Sequence, residues 1–143
     1  MLVKQLSAFV ENKAGRLSEI ADCLARENID ISALSLADTA DYGVLRMIVN
    51  FPDKAVEVLK QSGVVCKITN AIAVAMEDAP GGFASSLKLL TDNGIEVKYM
   101  YACTSSIKGK ALMILSVSNP AMADNLLSST DSGSVNPGDI YRI

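Results

Sequence analysis

The chain predicts an α+β protein of two ferredoxin-like βαββαβ units in tandem, each an antiparallel four-stranded sheet with its helices on one face. Three observations lead there. The first is an internal repeat. Shifted by 66 positions, residues 10–17 (VENKAGRL) lie over 76–83 (MEDAPGGF), Leu24 over Leu90, Ile29 over Ile95 and Ile31 over Val97. The register is read as continuing through Gly43 over Gly109 and Met47-Ile48 over Met113-Ile114. It then slips by two, so that Pro52-Asp53-Lys54-Ala55 meets Pro120-Ala121-Met122-Ala123. An internal repeat outranks any single local signal in deciding a fold. The second observation is that each copy switches between strand-like and helix-like apolar spacing. The third is the order of those segments, which with right-handed crossovers yields the split βαβ arrangement. Residues 1–67 are expected to form the first unit and 68–143 the second.

Each element has its own signature. Leu2, Leu6, Ala8 and Val10 place one apolar face on a strand over 2–10. Leu17, Ile20, Ala21 and Leu24 then fall at helical spacing, with Arg16, Glu19, Asp22 and Arg26 on the wet side. Asn28 closes that helix, since asparagine tolerates the left-handed conformation at a helix end. A strand follows over 29–36. Its apolar face changes from Ile29, Ile31 and Ala33 to Leu34 and Leu36, which predicts a bulge or bend. Residues 38–43 form a turn. A strand over 44–51 carries Leu45, Met47, Val49 and Phe51 on one face. Pro52 opens a short helix with Ala55, Val58 and Leu59 inward, Gly63 stops it, and 64–68 is the fourth strand.

The second copy repeats this order. Strands are expected near 68–76, 95–103 and 109–117. One helix near 81–92 carries Phe83, Leu87 and Leu90, and another near 120–128 carries Ala123, Leu126 and Leu127. Residues 128–138 are turn-rich and expected to be mobile, and 140–143 are expected to be the last strand. The copies are joined without a linker.

Composition narrows the function. The 143 residues are half hydrophobic and 20% charged, which suits a globular chain. The net charge of −3 and pI near 4.9 argue against a nucleic-acid partner, whose phosphates need a basic face. No apolar run reaches membrane-spanning length and no secretory leader is legible, so a cytoplasmic protein is expected. Cys23, Cys66 and Cys103 lack any Cys-x-x-Cys spacing and read as reduced thiols. The chain holds no histidine, which removes the commonest general base and imidazole ligands, so neither catalysis nor a metal or other cofactor is expected.

The most informative local feature is the corner between first strand and first helix, Glu11-Asn12-Lys13-Ala14-Gly15 and its copy Glu77-Asp78-Ala79-Pro80-Gly81. A helix start leaves backbone N–H groups unpaired and carries partial positive charge, so it accepts a carboxylate readily. Gly15 and Gly81 would allow close approach of a backbone or ligand. Asn12 offers an amide oxygen and nitrogen there, and Asp30 an acceptor for an ammonium group; Asp78 and Glu96 are their counterparts. Together these provide the anion and cation sites that a free α-amino acid requires. The plainer alternative is that Asn12 and Asp78 only cap helices.

Strand, Glu-Asn-x-x-Gly-x-Leu, helix and Asn-Ile-Asp-Ile, repeated as Glu-Asp-x-Pro-Gly-Gly-Phe and Gly-Ile-Glu-Val, resemble the ACT domain family of small regulatory amino-acid-binding modules. The likeness covers nearly the whole chain as a tandem pair. It implies that the modules pair and that an effector sits at the interface between them near the first loop and helix. The ligand-binding set it implies is Asn12, Lys13, Ala14, Gly15, Arg16, Leu17 and Asp30 in the first copy. In the second copy it is Asp78, Pro80, Gly81, Gly82, Phe83 and Glu96. Ala14 replaces the family's usual proline, and Val10 and Met76 stand where some members carry a polar side chain. With no catalytic domain alongside, the resemblance implies a free-standing allosteric regulator, homodimeric, that binds a free amino acid and modulates a metabolic enzyme in trans. The alternative is a structural oligomerisation module without a ligand. A reactive pocket at Tyr99, Tyr101 and Cys103 is better explained as sheet packing. An RNA-binding module is disfavoured because 44–51, with Arg46 and Phe51 among aliphatic residues, has the wrong composition for a basic, aromatic binding face.

Overall fold

The computed structural model describes residues 1–38, 41–130 and 134–142. Parts of three expectations therefore lie outside the described residues: 39–40 of the 38–43 turn, 131–133 of the turn-rich segment, and 143 of the expected last strand. The elements run β1 (Leu2–Glu11), α1 (Arg16–Arg26), β2 (Ile31–Asp38), β3 (Tyr42–Val49), α2 (Pro52–Gln61), β4 (Cys66–Glu77), α3 (Gly82–Asp92), β5 (Val97–Ile107), β6 (Lys110–Val117), α4 (Pro120–Ser128) and α5 (Pro137–Tyr141). The chain divides into two compact units. One comprises Lys4–Thr69 with Tyr141 and Arg142, and the other Met1–Val3 with Asn70–Ile140. The division thus falls inside β4 and not at 67/68, and each chain end belongs with the opposite repeat.

In the unit of Lys4–Thr69 the strand order is β4-β1-β3-β2. β1 pairs antiparallel with β3 from Leu6↔Met47 to Glu11↔Tyr42, and β3 with β2 from Ile31↔Val49 to Asp38↔Gly43. The start of β4 joins β1 where the Phe9 N–H donates to the Val65 carbonyl at 2.9 Å. The buried Gln5 side chain donates to Thr69 Oγ1 at 3.0 Å. Leu6, Ala8, Val10, Leu45, Met47 and Val49 face Ile20 and Leu24 of α1 and Ala55 and Leu59 of α2, so both helices cover one face. Each fully buried leucine contributes about 1.5–3 kcal/mol relative to exposure. Asn28 adopts φ +55 after α1, as its position predicts, and its counterpart Gly94 adopts φ +70. Phe51, expected inside, is the N-cap of α2 and exposed; its carbonyl accepts the Ala55 N–H.

The unit of Asn70–Ile140 repeats the plan. β4 pairs with β6 from Ile72↔Leu115 to Glu77↔Lys110, and β6 with β5 from Val97↔Val117 to Ile107↔Lys110. Ile72, Val74, Met76, Leu115 and Val117 pack under Leu90 of α3 and Ala123 and Leu127 of α4. The expected last strand, 140–143, is not formed over its described residues 140–142. Pro137 starts the short helix α5, fixed by reciprocal bonds in which the Asn136 N–H donates to Asp139 Oδ2 and the Asp139 N–H to the Asn136 carbonyl. The fourth strand position is filled by Met1–Val3, where Met1 and Ala73 exchange backbone hydrogen bonds of 2.9 and 2.8 Å. Six strands therefore serve among the described residues, because β1 and β4 each contribute to both units.

The expected bulge in the second strand is present. Register shifts between Ile31 and Ala33, and again between the counterparts Val97 and Tyr99. The two-residue slip sits elsewhere than the sequence overlay suggested. Val10 pairs with Gly43 and Met76 with Ala111, while Leu6 pairs with Met47 and Ile72 with Leu115. Gly43 thus corresponds to Ala111 and Met47 to Leu115. The extra residues are absorbed by a second irregularity in β5, between Ala102 and Ser106.

Candidate functional site: the two strand-to-helix corners

The corner of the first repeat begins where β1 ends at Glu11 and closes where α1 begins at Arg16. The Lys13 N–H donates to the Glu11 carbonyl at 2.8 Å, the Arg16 N–H to the Lys13 carbonyl at 3.2 Å, and the Glu19 N–H to Gly15 at 3.0 Å. The second corner has the last two bonds in the same places, from Gly82 to Ala79 at 3.0 Å and from Ser85 to Gly81 at 2.9 Å. The N-cap residues are Gly15 at φ +82 and Gly81 at φ +87, and neither helix receives a side-chain cap bond. Glycine thus holds the N-cap position at both corners, with Asn12 and Asp78 three residues before it. The glycines serve a left-handed turn, and no protein atom lies within 4 Å of either Cβ position. Close approach belongs to Gly82, where a Cβ would stand 2.1 Å from the Glu77 carbonyl oxygen.

Each corner borders a cleft lined wholly by its own unit. The first, about 310 Å³, has Glu11, Asn12, Lys13 and Asp38 as polar walls and Val10, Ala14, Leu17, Leu36 and Gly43 as the remainder. Lys13 Nζ lies 3.0 Å from Glu11 Oε2. That hydrogen bond, then the ammonium charge itself, holds the Glu11 carboxyl below its ordinary value of 4.5. The second cleft, about 350 Å³, is lined by Met76, Glu77, Asp78, Ala79, Pro80, Phe83, Ala111 and Met113. Lys110 Nζ lies 3.5 Å from Glu77 Oε1. Leu17 and Phe83, expected both on the apolar helix faces and in the implied ligand-binding set, are 40% and 48% exposed and form cleft walls.

The predicted residues divide accordingly. Asn12, Lys13, Ala14, Leu17, Asp78, Pro80 and Phe83 come together at the corners. Gly15, Gly81 and Gly82 shape the corners without lining the clefts. Arg16 turns to Glu19, 2.9 Å away, beside a separate small depression with Cys23, Arg26 and Ser62. Asp30 and Glu96 are not brought to the corners of their units. β1 and β2 both pair antiparallel with β3 and so run parallel to each other, which puts the start of β2 a strand's length, about 23 Å, from its corner end. The Asp30 N–H donates to Asn50 Oδ1 at 3.0 Å, and Asp30 Oδ2 accepts from the Arg142 guanidinium at 3.2 Å. The Glu96 N–H donates to Ser118 Oγ at 3.0 Å. Val10 and Glu11 in one cleft and Met76, Glu77 and Ala79 in the other form part of the lining from the corner itself, although outside the predicted set. Sequence reasoning missed altogether Leu36, Asp38 and Gly43 in one and Ala111 and Met113 in the other. Strand pairing carries them there, and the hairpin between the second and third strands was the signal that held them.

Among the described residues no helix is long and apolar enough to cross a membrane, and no group of three or more Cys, Asp or Glu side chains is arranged to hold a metal ion. No curated protein matches the chain. Among solved structures, protein BT0572 from Bacteroides thetaiotaomicron is similar at 36% identity and a TM-score of 0.90, over 100% of this chain and 98% of that one. The ligand-free regulatory subunit of aspartate kinase from Thermus thermophilus is similar in fold at 12% identity and a TM-score of 0.65, over 92% and 95% of the two chains. The corresponding subunit from Thermus flavus gives 12% and 0.62, over 89% and 90%. A family model described as an ACT domain pair matches residues 1–142. The chain belongs to the ACT domain pair family.

Proposed function

We propose that the protein is a non-catalytic regulator that binds a free amino acid at its strand-to-helix corners and modulates a metabolic enzyme in trans. The observation that carries this reading is the recurrence of one cleft at one corner in both repeats, each combining carboxylates, a helix start at a left-handed glycine and an apolar wall. The amides of the helix start suit an α-carboxylate, and Glu11 or Glu77 with Asn12 or Asp78 suits an α-ammonium. A few charge-assisted hydrogen bonds at about 1.5–3 kcal/mol each, with some apolar burial, correspond to micromolar to millimolar affinity. The fold likeness to regulatory subunits of aspartate kinase is in keeping with an enzyme partner.

Thermal denaturation of the full chain against the twenty standard amino acids tests this. A ligand present at about a hundred times its Kd stabilises by roughly 2.7 kcal/mol, a readily measured rise in Tm. Asn12→Ala and Asp78→Ala together should abolish the rise. No stabilisation by any amino acid at millimolar concentration would overturn the proposal.

A second reading, an assembly module working as a homo-oligomer, draws support from Phe9, Tyr42 and Val65 in the unit of Lys4–Thr69, each at least half exposed. Light scattering of the purified chain decides it: a monomer at all concentrations would exclude it.

A further inference from the structure

The two corners share a backbone plan but differ in their walls. Where the first cleft has Val10, Leu17 and Gly43, the second has Met76, Phe83 and Ala111 at the paired positions. In the first, Leu36 folds over Gly43 so closely that a Cβ there would stand 2.9 Å from Leu36 Cδ1. The counterpart of Leu36 is Ala102, and in the second cleft the wall is supplied by Met113 instead. Lys13, whose ammonium engages Glu11, is replaced by Ala79; in the second corner Glu77 is met instead by Lys110, 3.5 Å away and outside the cleft lining, which keeps Glu77 and Asp78.

We infer that the second cleft takes an amino acid with a large apolar side chain, its ammonium group toward Glu77 and Asp78 and its side chain between Met76, Met113 and Phe83. This rests on the proposed function above, that the corners hold amino acids. Thioethers are polarisable and adapt their shape, and a sulfur beside an aromatic ring is a favourable contact, so this wall accommodates leucine, methionine or phenylalanine. A side-chain carboxylate would be seated against the apolar wall of Met76, Met113 and Phe83, with Glu77 and Asp78 beside it and Lys110 already engaged by Glu77, and is disfavoured. The volume, about 350 Å³, lies within the range of small-molecule sites.

The test is calorimetric titration of the full chain with leucine, methionine, phenylalanine, aspartate and lysine, with Phe83→Ala and Phe51→Ala as paired variants. Methyl-labelled methionine spectra are recorded alongside, so that a poorly folded variant does not decide the outcome. Large apolar amino acids should bind and shift the methyl signals of Met76 and Met113 but not that of the buried Met47 in the other unit. Phe83→Ala should weaken that binding by about tenfold or more, and Phe51→Ala, at an exposed position that lines neither cleft, should leave it nearly unchanged. Binding of apolar amino acids that leaves Met76 and Met113 unmoved, or that Phe83→Ala weakens no more than Phe51→Ala does, overturns the inference while sparing the proposed function. So does aspartate or lysine as the ligand that moves the two methionines. If no amino acid binds at all, both fall.

Discussion

Lys13 is the residue that most changes the chemistry of the first corner. Its ammonium bonds Glu11, and both groups are exposed. The hydrogen bond and the charge hold Glu11 ionised to lower pH than an isolated carboxylate. A folded-state value below the unfolded one contributes stability above the unfolded value of 4.5, and that contribution is lost as pH falls from there through the lower folded value. Lys13→Gln should therefore raise the midpoint of Glu11 toward 4.5, read from its carboxyl carbon by NMR. Added salt should reduce the difference between variant and parent, because the pair is screened by solvent ions. An unchanged midpoint would show that Lys13 does not act on Glu11.

At the scale of the element, the starts of α1 and α3 show two separate demands on glycine. Gly81 needs a left-handed backbone but has open space around its Cβ position, whereas Gly82 is pressed against the Glu77 carbonyl. Gly81→Ala should then cost about 1–2 kcal/mol, the price of a left-handed non-glycine residue. Gly82→Ala should cost more, because backbone atoms must move to admit the methyl group. Urea denaturation of the two variants ranks them, and equal losses would mean that the contact at Gly82 relaxes freely. Copy one has Arg16 at the matching position, so this tight closure is peculiar to the second corner.

For the whole molecule, the consequential feature is the exchange of chain ends. Met1–Val3 complete the sheet of Asn70–Ile140, with Val3 buried and Met1 bonded to Ala73, and Tyr141 and Arg142 belong with the first repeat. There the Tyr141 hydroxyl accepts the Lys4 N–H at 2.9 Å, and Arg142 reaches Asp30. Removing residues 1–3 should expose the Ala73 amide and speed hydrogen exchange along β4 and β6, while Phe9 and its neighbours in β1 keep their protection. Uniform acceleration over both units would indicate that the first three residues stabilise the molecule in some less local way.

What the amino-acid order determined by itself was local: the duplication, the sequence of strands and helices, the stop at Asn28, the helix opened by Pro52, the bulge in β2 and the pair of corners that hold Asn12 and Asp78. Apolar periodicity and turn chemistry act over a few residues, and they are written in one stretch of chain. The tertiary structure decided what depends on strand direction and register. It put Asp30 and Glu96 at the far ends of their strands, brought Asp38 and Met113 into the clefts, and lodged the two extra residues in β5. It also gave the fourth strand position of the second repeat to Met1–Val3, leaving 137–141 to form a helix. Those outcomes follow from which backbone groups hydrogen-bond across distant segments, a choice that no single stretch of sequence contains.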